Sequence, residues 1–445
     1  MNYKEKALYV INHDSARQII LENQLHPKKR RNECITFDEI NDYSPPKELH
    51  GGVRFNYTLN ELKAIARVLG VSNSEEKIRH FLFQAMLYCG VKIGDEEALK
   101  YVKRISGFPD GFRYYRIAGL VDTNRFTVRV VPDTWQGKAE TRFTLRGSQL
   151  WIDDFCIGEI TAVFTASSLY NLAYVTENQN NEIILSLNPH QICTQNCKFC
   201  FKGSRAMLPE FSKTLINLSA SEMIRFLEVE YADLDYEKLT EVVILTARFG
   251  NTSNVLSFLR DIYNGLKRVS GGKFDPSINP WQRLKISTHL ITTQEAMEAA
   301  YSHGVRRFVF PIEVFSNIRR EQIMSSGYYS VSNNKGEMKT EEVLSCLKLA
   351  GEVFGLENIE PVVILGLDSF EETIEGLELL KKLGITMLTH NIFRVYDSDQ
   401  IELYQMSLEE VIRVQIYAGE LFGTTFKQII TDTLPKYHDK YKDLR

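Results

Sequence analysis

No stretch of this 445-residue chain approaches the roughly 18 consecutive apolar residues of a membrane helix, so a membrane-spanning role is not expected. The first residues, MNYKEKALYVINHDSARQ, lack the apolar centre of a secretory signal, and a cytoplasmic protein is expected. A basic excess is missing too. The chain carries 53 Lys and Arg against 57 Asp and Glu, a net charge of −4, whereas phosphate-binding surfaces usually show a positive surplus. No nucleic-acid partner is therefore expected. Low-complexity segments are absent, and so are internal repeats beyond the alternation described below. Nor is there an even set of cysteines. Seven in a long chain without a secretion signal argue against a disulfide framework and leave metal binding or catalysis for those that cluster. Cys34, Cys89, Cys156 and Cys346 are scattered in the manner of inert buried thiols.

What is present describes a globular protein, with 44% hydrophobic and 25% charged residues. The length suggests two domains, or one large α/β domain with an added piece. From about residue 182, short apolar runs alternate with segments of helical period. EIILSL (182–187), EVVILT (241–246), LKIST (284–288), RRFVFPI (306–312), PVVILGL (361–367) and MLTHNIFRVY (387–396) predict buried strands. Ser219 with Glu222, Thr292 with Glu295, Ser369 with Glu372 and Ser407 with Glu410 have capping-box spacing, and Gly355, Gly384 and Gly423 fall where helices end. Six βα units in series predict a parallel sheet, wound into a partial barrel or left open and doubly wound. Residues 1–180 lack this alternation and predict a separate α+β module, with two amphipathic helices followed by strands joined by tight turns. TENQNNE (176–182) is the expected linker. The expected division is thus 1–180, a barrel over 181–432, and a tail over 433–445.

NPHQICTQNCKFCFKG places Cys193, Cys197 and Cys200 within eight positions directly after the first predicted strand of the series, at the end where α/β active sites are built. A structural zinc site needs four ligands, and His190 is the one nearby substitute for a fourth cysteine. A four-iron cluster held by three thiolates instead keeps one iron open to a ligand that is not protein.

With C-x3-C-x2-C written as CTQNCKFC, and an aromatic, Phe199, before the third cysteine, the segment resembles the radical S-adenosylmethionine (radical SAM) superfamily, and the strand pattern resembles its biotin synthase-like branch. The resemblance covers roughly residues 182–430 and implies a partial (β/α)6 TIM-type barrel preceded by the α+β N-terminal domain. It implies a 4Fe-4S cluster on the three cysteines and S-adenosylmethionine chelating the open iron. Reductive cleavage would then give a 5′-deoxyadenosyl radical that abstracts hydrogen from substrate. A flavodoxin- or ferredoxin-type electron donor is implied as partner.

Further cofactor residues are implied at later strand ends. LTARFGNTS replaces the family's glycine-rich GGE turn and offers Thr246, Arg248 and Gly250. ISTHL offers Ser287 and Thr288 toward the ribose, with His289 toward substrate. FPIEVFSNIRREQ offers Glu313, with Arg319 or Arg320 meeting the methionyl carboxylate. LGLDSFEE offers Gly366 and Leu367 near adenine. On the sixth strand His390, Arg394 and Tyr396 share a face by period two and are expected to recognise substrate. No cysteine follows Cys346, so a C-terminal cluster-binding extension is not expected and sulfur insertion is disfavoured; residues 1–180 do not have the pattern of a cobalamin domain. A small polar substrate such as an amino acid, sugar, nucleoside or conjugate is expected. A peptide or protein substrate, and a non-enzymatic zinc or iron-sulfur protein, are the alternatives.

Overall fold

A computed structural model describes residues 53–71, 75–98, 116–121, 124–131, 140–164, 173–177, 182–190, 193, 195, 197–200, 218–246, 249–324, 335–393 and 398–422. The N-terminal part opens with α1 (Leu59–Val68), started by a capping box in which Thr58 and Glu61 satisfy each other's backbone N–H groups. After α2 (Glu75–Cys89) come β1 (Lys92–Ile93), β2 (Arg116–Val121), β3 (Asn124–Arg129), β4 (Phe143–Arg146), β5 (Gln149–Ile152) and β6 (Phe155–Phe164), in one sheet of order β1-β4-β5-β6-β2-β3. Gly147 and Asp153 take positive φ in the two-residue turns either side of β5, as tight hairpins require. The Asp153 carboxylate also accepts from Leu59 N–H at 3.0 Å, tying that hairpin to the start of α1. A parallel bridge between Val91 and Val130 joins the two ends of the sheet, so it closes on itself around Val91, Val128, Val130, Phe143, Leu145 and Leu150.

The second sheet holds β7 (Ala173–Glu177), β8 (Ile183–Leu187), β9 (Leu239–Leu245), β10 (Arg283–Ser287), β11 (Val305–Glu313), β12 (Ile359–Leu365) and β13 (Thr389–Ile392). The strands from β8 to β13 are parallel and neighbour one another in chain order, while β7 adds antiparallel to the β8 edge. A doubly wound sheet would reverse its strand order part-way. This one does not, and it is the partial barrel. Between and after these strands lie α3 (Ala220–Glu230), α4 (Thr252–Val269), α5 (Gln294–Ser302), α6 (Asn317–Met324), α7 (Thr340–Phe354), α8 (Phe370–Lys382) and α9 (Leu408–Phe422). Capping boxes at Ser219, Ser369 and Ser407 are present as predicted; α5 starts from Thr293 and not Thr292. Gly355 and Gly384 have the positive φ of helix ends, whereas Gly423 lies outside the described residues. No described helix is long and apolar enough to cross a membrane.

Leu284, Ile286, Phe308, Phe310 and Ile312 are fully buried against the helices, so their strand neighbours Lys285, Arg307 and Val309 face the opposite, concave side. Residues 173–177, assigned from sequence to the N-terminal module and the start of its linker, form a strand of the barrel sheet. The two parts also pack together. Tyr88 on α2 donates its hydroxyl to Met406 O at 2.8 Å, and the rings of Phe55, Tyr88 and Tyr404 sit with centroids 5.0–5.3 Å apart.

Candidate functional site

Beyond β8 the chain enters the cysteine loop, which is held from three sides. Lys198 N–H donates to Ile323 O in the last turn of α6 at 2.8 Å, and Gln400 Nε2 donates to Lys198 O at 2.6 Å. Gln195 Oε1 accepts from Lys335 N–H at 3.2 Å. Cys200 N–H closes a tight turn on Cys197 O at 3.0 Å, and Gln195 N–H donates to Cys193 Sγ at 3.4 Å. None of the three is in a disulfide; Cys197 and Phe199 are buried, whereas Cys193 and Cys200 are half-buried. His190 packs edge-on to Phe249 at 4.5 Å between centroids.

Glu313 stands at the end of β11. A register irregularity between Pro311 and Glu313 re-aims its side chain, and its φ of 65° is one of two positive values at described non-glycine residues. Left-handed backbone at such a residue is strained and persists only where the surroundings enforce it. Its carboxylate is paired with Lys335 Nζ at 3.0 Å. Burial pushes the Cys197 thiol well up, the Glu313 charge adds to this, and Lys335 opposes it.

Two arginines follow on α6. Arg320 is 1% exposed; it donates Nη2 to Val314 O at 2.5 Å, and its buried Nε–H has no hydrogen-bond partner among the described residues. Burial pulls its pKa down, opposed by the charges of Glu313, Asp368 and Cys197. Arg319 instead staples α6 to the next unit, donating to Leu367 O at 3.1 Å and Leu403 O at 2.7 Å. Asp368 accepts from the N–H groups of Phe315 at 2.5 Å and Ser316 at 3.3 Å. Burial pushes its carboxyl up to about 6 against the pull of those two donors.

The other expected residues are spread around the same rim. Thr246 donates its hydroxyl to Ser287 O at 2.7 Å, Thr288 Oγ1 accepts from Leu290 N–H at 3.1 Å, and His289 is buried beside them. Gly250 has φ 72°, with Asn251 capping α4 next to it. Gly366 has φ 99°, a backbone an L side chain rarely adopts, and Leu367 is fully buried. His390 departs from expectation. Thr389 takes the concave face and bonds Glu360, so by alternation His390 faces the helices, where it lies 3.4 Å from Gln415 on α9; burial lowers its pKa to about 4. Arg248, Arg394 and Tyr396 lie outside the described residues.

Lower in the concave face runs a charged belt. Lys285 Nζ meets Glu360 at 2.6 Å and Glu241 at 3.8 Å, while Arg307 meets Glu241 at 3.1 Å. β10 and β12 flank β11, so the Lys285–Glu360 pair spans a strand and can form only across the hollow of the sheet. Two cations and two carboxylates neutralise one another there, flooring the space beneath the cysteine loop.

Lys335, Asp368, Gln195 and the belt have no sequence signal beyond polar residues in loops or single charges in apolar strands. The three thiols, with a buried guanidinium and a half-buried ion pair beside them, suit a multi-iron cluster carrying an amino-acid ligand. Among the described residues no group of three or more His, Cys, Asp or Glu converges on one ion.

No protein-family model matches the chain, and no curated protein does. Solved structures do match. HydG, a maturase of the FeFe-hydrogenase, is 14% identical with a TM-score of 0.39 over 57% of this chain and 54% of its own. Methylornithine synthase is 10% identical with a TM-score of 0.39 over 54% of this chain and 62% of its own. Coproporphyrinogen III oxidase of Escherichia coli, a radical SAM enzyme, is 12% identical with a TM-score of 0.36 over 54% of this chain and 52% of its own. The chain thus spans less than two thirds of the length of each.

Proposed function

We propose that the chain is a radical SAM enzyme acting on a small polar substrate. The observation that carries this is the placement of three thiols outside any disulfide at the C-terminal end of the first parallel strand of a partial barrel, with a half-buried carboxylate and a buried guanidinium nearby. Cys193, Cys197 and Cys200 would hold a 4Fe-4S cluster. Reductive cleavage of S-adenosylmethionine to a hydrogen-abstracting radical is the chemistry that the group supplies when bound.

The chain's own residues bind and orient. The unpartnered Nε–H of Arg320 can donate to a methionyl carboxylate, as guanidinium and carboxylate geometries match. Glu313, strained into place, can accept from the methionyl amine. Thr246, Gly250, Ser287, Thr288, Gly366 and Leu367 line the remaining rim, where backbone and small side chains admit a flat ring or a ribose. His289, buried on this rim, can reach substrate. The charged belt supports a small substrate, since it leaves only a few residue layers beneath the cysteines. A low-potential flavodoxin or ferredoxin would supply the electron.

Anaerobic reconstitution should load about four irons per chain, with a visible absorbance shoulder that bleaches on dithionite. Replacing Cys193, Cys197 and Cys200 together by Ala should abolish this, and the reduced protein with S-adenosylmethionine should slowly release 5′-deoxyadenosine. Stoichiometric zinc without iron uptake would overturn the proposal.

A further inference from the structure

Lys335 belongs to none of the barrel strands, yet its ammonium reaches the cysteine site. Its backbone N–H is tied to Gln195 inside the cysteine loop, and its Nζ lies 3.0 Å from the Glu313 carboxylate. Both side chains are largely withdrawn from water, at 12% and 15% exposure, so their charges act at close to full strength on what lies beside them. The Cys197 and Cys193 thiols are among the groups whose charge acts on the ammonium. Of the nearby arginines, Arg319 is engaged on two backbone carbonyls, while Arg320 donates to Val314 O and also lies within the field of Glu313 and Cys197, so that Lys335 is the cation in direct contact with the carboxylate. A carboxylate locked beside three thiolates opposes the arrival of an electron, because the reduced cluster is one unit more negative.

We propose that Lys335 is the counter-ion of the cluster, a positioning residue whose ammonium offsets Glu313 beside the cysteine thiols and raises the cluster's reduction potential. The inference rests on the assignment of the site as an iron-sulfur centre. In the step concerned one electron passes from the reductant to the cluster, and no bond is made or broken. Lys335 keeps the added negative charge from meeting Glu313 uncompensated.

The test is a spectroelectrochemical titration of the full, anaerobically reconstituted chain. Lys335→Met, at equal iron content, should shift the reduction equilibrium about tenfold toward the oxidised cluster, which is 59 mV for a one-electron couple. Lys335→Arg keeps the charge and should stay within about threefold of the parent. If Lys335→Met takes up no iron, Glu313→Gln is compared with the Glu313→Gln/Lys335→Met double variant, in which no carboxylate is left unpaired; the same tenfold difference is expected. Equal potentials at equal iron content overturn the inference and leave the cluster assignment standing. Failure of both Lys335→Met and the double variant to load iron assigns Lys335 a structural role and overturns it too. A parent chain that takes up no iron removes both.

Discussion

Lys285→Met tests the floor of the barrel. Methionine retains most of the lysine stem, so the change removes charge with little loss of volume. In the parent, burial pushes the Glu360 carboxyl up, but Lys285, by charge and by hydrogen bond, together with Thr389 and Arg307, leaves its pKa below the ordinary value. A carboxyl depressed on folding contributes stability above its unfolded pKa, and that contribution is lost as pH falls through the folded value. Without Lys285, burial dominates and the folded pKa lies above the unfolded one, so the ionised carboxylate becomes a burden that acidification relieves. Breaking a buried pair by removing one partner costs roughly 3–5 kcal/mol. With an m-value near 3 kcal/mol/M, the urea midpoint at about pH 7.5 should fall by roughly 1 to 1.7 M. The deficit should shrink at about pH 5, and Lys285→Met/Glu360→Gln should recover more than half of it. A deficit under about 1 kcal/mol, or one that stays the same at both pH values, refutes the account.

Glu313→Gln should leave iron content unchanged while weakening S-adenosylmethionine binding by about 1–3 kcal/mol in equilibrium dialysis, the worth of one charge-assisted hydrogen bond; affinity within error of the parent would move Glu313 out of the cofactor site. For Asp368→Asn the sign is opposite to that of Glu360 in the parent. The folded pKa of Asp368 is raised to about 6, so the ionised group costs stability above that value and costs none below its unfolded value; the variant's deficit against the parent should therefore narrow between about pH 5 and pH 7.5 in urea titrations. Gly376→Ala would normally gain about 1 kcal/mol within a helix, but its added Cβ would overlap the Phe315 ring, so thermal scans should show a net loss of about 1–3 kcal/mol.

The parallel strands from β8 to β13 and the starts of α3, α8 and α9 were legible because both obey local rules: apolar runs that must be buried, and capping boxes that satisfy orphan N–H groups. The cysteine loop was legible because its three residues are close in sequence. What escaped joins residues far apart. Lys335 meets Glu313 across 22 positions, and Lys285 meets Glu360 across a strand; nothing local marks either pair. His390 shows the limit of period-two reasoning, which gives two faces and not which one is hollow. In β13 the polar face and the helix-covered face both carry hydrogen-bonding side chains, so polarity did not separate them.

The hydrogen bond from Tyr88 to Met406 joins residues 318 positions apart. A chain made from its N-terminus completes α2 long before the surface that receives it exists. Loop closure over such a span is slow to be rewarded, because its entropy is lost before the contacts form. Until the segment leading into α9 emerges, Phe55 and Tyr88 lack their Tyr404 partner and present aromatic surface to anything nearby. The last strand-helix unit therefore acts as the late step of folding. Chains cut short before Tyr404 should be chaperone clients even with the cysteine loop and most of the sheet already in hand.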